Sequence, residues 1–89
     1  MEQKVKKEEK RFVIYTKEKE VYVEFQMRDE TMDLDHTYTH PELRGKGLAA
    51  LVVRAALEYA KENKFKVIPT CSYVRSFINK NEEYKTMVV

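Results

Sequence analysis

The residue types able to do chemistry in this chain are few, and they are concentrated at three places. Both glycines fall in one segment, His40-Pro41-Glu42-Leu43-Arg44-Gly45-Lys46-Gly47-Leu48-Ala49. Glycine has no β-carbon, so the backbone there can turn sharply and come close to a ligand. The segment leads into the most regular helical pattern of the chain. The first amides of a helix lack intrahelical partners, and the helix dipole adds partial positive charge at that end. Arg44 and Lys46 add full charges. Such a turn is an anion site suited to phosphate, or else simply a tight turn. A P-loop requires a longer glycine-bounded loop ending in Gly-Lys-Ser/Thr, and the dinucleotide fingerprint requires a third spaced glycine; the sequence has neither.

The second place is Cys71, the single cysteine, which excludes an internal disulfide and a cysteine-based zinc site; no metal is expected. It stands beside Ser72 at an expected helix start, where the dipole favours thiolate. It reads either as a reactive thiol or as a small, half-buried apolar residue. The third place is His36, which shares an alternation with Met32, Leu34 and Tyr38. It reads either as a general base, for which an unperturbed imidazole is suited, or as a histidine at the core edge bonded to backbone. Asp33 and Asp35 form an acidic pair on one strand face, which either attracts a cationic acceptor or marks a solvated edge. His40, beside Pro41, is expected to be exposed and takes no role.

Positioning these groups falls to a simple succession of elements. Residues 1–11 are dominated by Lys and Glu, with Val5 the one apolar anchor, and read as a charged, solvated tail before a single domain over residues 12–89. Phe12 to Thr16 is a short apolar run followed by a charged turn. Val21, Val23, Phe25 and Met27 alternate with polar residues, and Met32, Leu34, His36 and Tyr38 do so after a turn at Arg28-Asp29-Glu30. Three strands with short connections predict an antiparallel meander. Pro41 ends the third strand. From Gly47 to about Asn63 the period is helical, with Leu48, Leu51, Val52, Ala55, Tyr59 and Ala60 as the apolar stripe. Phe65 to Pro69 reads as a fourth strand, and Ser72 as the cap of a second helix carrying Val74, Phe77 and Ile78. The expectation is an α/β (α+β) domain with a mixed sheet, a β-meander followed by helix–strand–helix.

Composition narrows the function classes. At 89 residues, with 43% hydrophobic and 36% charged residues and a net charge of +2, the chain is globular in composition and nearly neutral. No uninterrupted basic stretch is long enough for a nucleic-acid arm, so a nucleic-acid partner is not expected. No apolar run approaches the roughly 18 residues of a membrane span, and the charged N-terminus is unlike a signal peptide. A soluble cytoplasmic protein with no membrane partner is the expectation.

The segment Arg44-Gly45-Lys46-Gly47-Leu48-Ala49 resembles the acetyl-CoA signature of the GNAT superfamily of N-acetyltransferases, Gln/Arg-x-x-Gly-x-Gly/Ala, at every fixed position. His36-Thr37, Val67-Ile68-Pro69, Cys71-Ser72-Tyr73-Val74 and Glu83-Tyr84 are similar to a compact single-domain subgroup of that superfamily, so the resemblance covers about residues 12 to 85. It implies a minimal GNAT fold with acetyl-CoA as co-substrate. Pantetheine would pair with strand backbone near Tyr38 and Thr39, and pyrophosphate would be held by the amides from Arg44 through Gly45, Lys46, Gly47 and Leu48 to Ala49. It also places Cys71 near the thioester, as acetyl acceptor or thiol-positioning group. By the same resemblance Tyr73 is a proton donor to the departing thiolate, unless it packs on the first helix. Phe77 and Lys80 flank the adenine and phosphates, unless Lys80 belongs to a solvated face. Larger members have two helices between their first strands that wall the acceptor site, and Thr16 to Val21 leaves no room for them. The implied activity is acetyl transfer to a primary amine: a protein lysine, an N-terminus or a small amine. A CoA-binding module without turnover and a protein- or RNA-binding domain are the alternatives.

Overall fold

The computed structural model describes residues 4–89. Five strands, β1 (Lys6–Lys7), β2 (Arg11–Thr16), β3 (Lys19–Arg28), β4 (Thr31–Thr39) and β5 (Lys66–Ile68), form one sheet in the order β1-β2-β3-β4-β5. The first four are antiparallel and β5 runs parallel to β4. Helices α1 (Leu48–Glu62) and α2 (Ser72–Lys80) complete the α/β architecture, with short 3₁₀ segments at Pro41–Leu43 and Glu82–Met87. The meander forms because β-branched and aromatic residues alternate with polar ones in β3, and because the turns are minimal. Lys17 and Glu18 both adopt left-handed φ, 48° and 66°, which suits the twist of a two-residue hairpin. Parallel β5 needs a crossover, and α1 supplies it. Neither described helix is long and apolar enough to cross a membrane.

The core lies on one face of the sheet. Phe12, Ile14, Val21, Val23, Phe25, Met32 and Leu34 meet Val52, Val53, Ala56, Leu57 and Ala60 of α1, and Val74, Phe77 and Ile78 of α2 close the same cluster. The buried stripe of α1 is therefore rotated from the one periodicity suggests. Leu51 is 41% exposed while Val53, Ala56 and Leu57 are buried, because the helix meets a broad sheet that covers more than one narrow row. Ser72 does not cap α2 either. Cys71 occupies the N-cap, no side chain caps the helix, and Ser72 is its first residue.

The segment expected to be a solvated tail departs from that reading. Residues 1–3 lie outside the described residues, but Lys6–Lys7 pair with Phe12 and Val13, and Arg11 opens β2. Val5 packs against the core, and Lys7 places its ammonium 5.2 Å from the Tyr59 ring centre. Backbone pairing and snorkelling lysine stems hold a stretch whose composition suggests only solvation.

Tyr84 fastens the C-terminal segment. Its ring is fully buried and stacked on Phe77, and its hydroxyl donates to Glu58 (2.5 Å) and accepts from Arg54 (3.2 Å). Burial, reinforced by the Glu58 carboxylate, pushes its pKa up to about 12. Tyr84→Phe keeps the ring and strands the carboxylate, so thermal unfolding is expected to show a loss of about 1–2 kcal/mol with unchanged ligand binding.

Candidate active site

The glycine segment is shaped by its neighbours. Pro41 contributes no amide, and His40 Nδ1 accepts from the Glu42 amide (3.1 Å) to begin the 3₁₀ turn. Leu43 is buried, and the Lys19 ammonium lies 3.1 Å from the Glu42 carboxylate, tying the turn to β3. The chain then passes through Gly45 at φ 79° and Gly47 at φ 75°, left-handed values that glycine adopts at little cost. Gly47 is the N-cap of α1, and no side chain caps that helix. A β-carbon built on either glycine would meet nothing within 4 Å, so the backbone here borders open space. Arg44 and Lys46 are exposed and make no ion pair with another described residue. Uncapped amides, the helix dipole and two cations without an ion pair among the described residues give the turn a positive potential that attracts an anion.

A second construction stands across a cleft from it. The parallel pairing of β4 and β5 ends at Asp33 and Ile68. The chain then turns, with Thr70 N–H donating to Ile68 and Cys71 N–H donating to the Leu34 carbonyl (2.9 Å), before α2 leaves the sheet. Beyond Leu34 the edge of β4 has no neighbouring strand, and a wedge opens between it and α2. Cys71 stands at the closed end, its Sγ 3.2 Å from Thr37 Oγ1. Burial opposes ionisation of this thiol. The Thr37 hydroxyl and the Val74 and Tyr73 amides at the start of α2 outweigh it, and the pKa lies below its ordinary value.

Three adjoining cavities of about 280, 320 and 300 Å³ run from Lys80 and Asn81, past the glycine turn, to Cys71. Tyr73 lines all three, which makes them one elongated groove. Its phenol is 40% exposed, so it borders the groove rather than being buried under α1, and burial of the rest raises its pKa and keeps it protonated at neutral pH.

The groove gathers Thr39, Arg44, Gly45, Gly47, Leu48, Ala49 and Cys71, with Lys46 on the turn between the glycines. It does not gather His36 or the Tyr38 side chain. Glu24 pairs with His36 but Phe25 pairs with Leu34, so Asp35 is an extra residue bulged into β4. The bulge reverses the alternation. Thr37 and Thr39 fall opposite Val23 and Val21 on the helix-covered face, whereas His36 and Tyr38 fall opposite Glu24 and Tyr22 on the uncovered one. The reading that put His36 on one face with Met32 and Leu34 is thus corrected: His36 is exposed, and it and Cys71 occupy opposite faces of the sheet. Asp33 is no solvated edge residue, being 7% exposed, hydrogen-bonded by Thr70 Oγ1 (2.5 Å) and 3.6 Å from Arg28. Phe77 and Lys80 line the far end of the groove, but Phe77 is largely buried between Tyr84 and the Arg54 guanidinium. Thr37 enters the sequence reading only as part of the family resemblance, with no role assigned to it. Only the parallel β4–β5 register brings it to Cys71, and nothing local signals that pairing.

Residues 11–87 match the family model described as GCN5-related N-acetyl-transferase. The chain belongs to this family. Its GNAT fold is also that of a GCN5-like candidate N-acetyltransferase from Staphylococcus aureus, whose solution structure superposes with a TM-score of 0.77 at 26% identity over 98% of this chain and 88% of that one. Among curated relatives, Protein NATD1 of Xenopus tropicalis is 33% identical over 51 residues, 57% of this chain and 47% of that protein. Protein NATD1 of Homo sapiens is 34% identical over 50 residues, 56% of this chain and 44% of that protein. The chain therefore spans about half the length of the curated relatives it matches. GNAT proteins use acetyl-CoA as acyl donor, and the groove offers what that elongated anion requires: open space over two left-handed glycines, uncapped helix amides and free cations at one end, and a thiol at the other.

Proposed function

We propose that this GNAT domain is an acetyl-CoA-dependent N-acetyltransferase acting on a primary amine. The observation that carries the reading is the continuity of the groove from the Arg44–Ala49 turn to Cys71. Acetyl-CoA supplies an acyl group activated as a thioester. The amides from Arg44 to Ala49 receive its pyrophosphate, Arg44 and Lys46 add charge, and the open edge of β4 near Tyr38 and Thr39 pairs with the amide-bearing pantetheine arm. Cys71 borders the thioester as acetyl acceptor or as the group that orients it. In direct transfer the amine nitrogen bonds to the acyl carbon, the carbon–sulfur bond breaks, and sulfur leaves with the electron pair. Tyr73, which lines the groove, protonates that sulfur in this scheme, and the amine sheds its proton to solvent because His36 lies on the other face of the sheet.

The decisive experiment follows free CoA released from acetyl-CoA with and without a lysine-rich peptide pool or polyamines. Amine-dependent release is expected. Saturable binding without release supports a second reading, a CoA-responsive module, which the two-residue β2–β3 hairpin favours because it leaves no wall over the outer face. Mass spectrometry after brief acetyl-CoA exposure separates the two chemical routes. An acetyl adduct lost in Cys71→Ala indicates transfer through the thiol, and its absence indicates direct attack.

A further inference from the structure

The parallel ladder of β4 and β5 ends at Asp33 and Ile68, so no strand pairing fixes the chain that continues through Pro69 and Thr70 to Cys71. Beyond two backbone bonds, Thr70 N–H to Ile68 and Cys71 N–H to Leu34, that turn is held by side chains. The Arg75 guanidinium reaches back from α2 and donates to the carbonyls of Pro69 (3.3 Å) and Thr70 (2.9 Å). Thr70 is exposed, yet its hydroxyl is spent inward, donating to Asp33 Oδ1 at 2.5 Å. Asp33 is the one charged residue buried among the described residues. Met32 and Leu34 on either side of it belong to the core beneath the helices, so strand alternation turns Asp33 to the other face of β4. Cys71, the residue after Thr70, has its sulfur 3.2 Å from the Thr37 hydroxyl on the groove face. Two consecutive residues therefore grip β4 from its two faces, Thr70 through Asp33 and Cys71 through Thr37.

We propose that Asp33 is a positioning residue for the acetyl-transfer site: through Thr70 it fixes where Cys71 holds its sulfur at the closed end of the groove. A buried carboxylate is costly unless its oxygens are bonded. The cation it faces, the Arg28 guanidinium, lies 3.6 Å away on a largely exposed side chain. Withdrawing the Thr70 hydroxyl would leave the carboxylate with that loose partner, so the turn is held against opening. A neutral amide in place of the carboxylate would hold the same hydroxyl less firmly, because a hydrogen bond to an ionised acceptor is about twice as strong. The consequence for the site is geometric. Thr70 and Cys71 share a peptide unit, so a shift of one moves the sulfur away from the Thr37 hydroxyl and the Tyr73 and Val74 amides. A misplacement of about 1 Å at a reacting centre costs about 100-fold in rate. The inference rests on the proposed reading of the groove, with Cys71 at its thioester end, and its test is kept separate from turnover.

The test compares Thr70→Val, which removes the hydroxyl and keeps the shape, with Thr70→Ser, which returns it; the position is an exposed turn that tolerates both. Cys71 is first alkylated with iodoacetamide at neutral pH without acetyl-CoA. Thr70→Val is expected to slow alkylation about threefold, as the sulfur loses alignment with its donors, and Thr70→Ser to restore the wild-type rate. A purely structural Thr70 gives a different sign: a loosened turn uncovers the thiol and speeds alkylation, and a spectator leaves the rate unchanged. Either result overturns the proposal. Asp33→Asn is expected to slow alkylation in the wild type and to have no further effect in Thr70→Val, where the bond is already gone. An Asp33→Asn effect that is missing from the wild type, or that persists in Thr70→Val, overturns the assignment to Asp33. In the CoA-release assay Thr70→Val is expected to lower kcat about tenfold while the acetyl-CoA shifts of Arg44 to Ala49 stay as they are. Absence of release in the wild type would count against the transferase reading alone, and the alkylation series would still decide what places the sulfur.

Discussion

Gly47→Val is expected to weaken acetyl-CoA binding by about 10- to 100-fold in a protein that still folds. The residue is the N-cap of α1 at φ 75°, and the space beyond its α-carbon is open. A β-carbon there meets nothing within 4 Å, so the first atom of the new side chain finds room without displacing the fold. The β-branched side chain does carry a backbone strain of about 1–3 kcal/mol at left-handed φ, visible as a lower Tm. The larger effect falls on the ligand. Two methyl groups occupy the volume through which a phosphate approaches the uncapped amides of α1. Losing one charge-assisted hydrogen bond costs about 1.5–3 kcal/mol, which is the stated range in affinity. Gly47→Ala carries the strain with a smaller obstruction and is expected to fall between wild type and Gly47→Val. Calorimetry on both variants, with a melting curve for each, separates strain from obstruction. Unchanged affinity in folded Gly47→Val would remove the pyrophosphate from this turn.

What the sequence displays and what it conceals divide along a physical line. The meander is legible because one covered face imposes a period of two on β3, and because two-residue turns leave few alternatives. The anion-binding turn is legible because both glycines of the chain sit there, at positions where the backbone proves left-handed. The bulge at Asp35 is not legible. It carries no glycine or proline, and an unbroken alternation of Met32, Leu34, His36 and Tyr38 conceals the residue that reverses it. That one residue decides which side chains face the groove, and so separates His36 from Cys71 and puts Thr37 in its place. The rotation of α1 escapes for a related reason. Val53 and Leu57 are comparable in apolarity to Leu51, and only the position of the sheet selects among them. The pairing of Lys6–Lys7 is hidden because backbone hydrogen bonds impose no side-chain composition on an edge strand.

Thr37 therefore carries the second large expectation. When Cys71 is ionised, the Thr37 hydroxyl 3.2 Å away donates to the sulfur, as do the Tyr73 and Val74 amides, and together they overcome the effect of burial. Thr37→Val removes one donor and keeps the shape. The thiol pKa is expected to rise, and alkylation of Cys71 by iodoacetamide near pH 7 to slow about three- to tenfold, with its pH midpoint displaced upward. Thr37→Ser restores the hydroxyl and should restore the rate. Linkage supplies a check independent of reactivity. A thiol whose folded pKa lies below its unfolded value of about 8.5 stabilises the fold as pH rises through that window. The contribution is complete above the unfolded pKa and is lost as pH falls through the folded one. Wild type should accordingly gain stability on the alkaline side relative to Thr37→Val, and the two pH–stability curves should diverge across that window. Parallel curves with equal alkylation midpoints would mean that backbone amides, those of Tyr73, Val74 and Thr37 itself, hold the thiolate and that the Thr37 hydroxyl is a spacer in the wall of the groove.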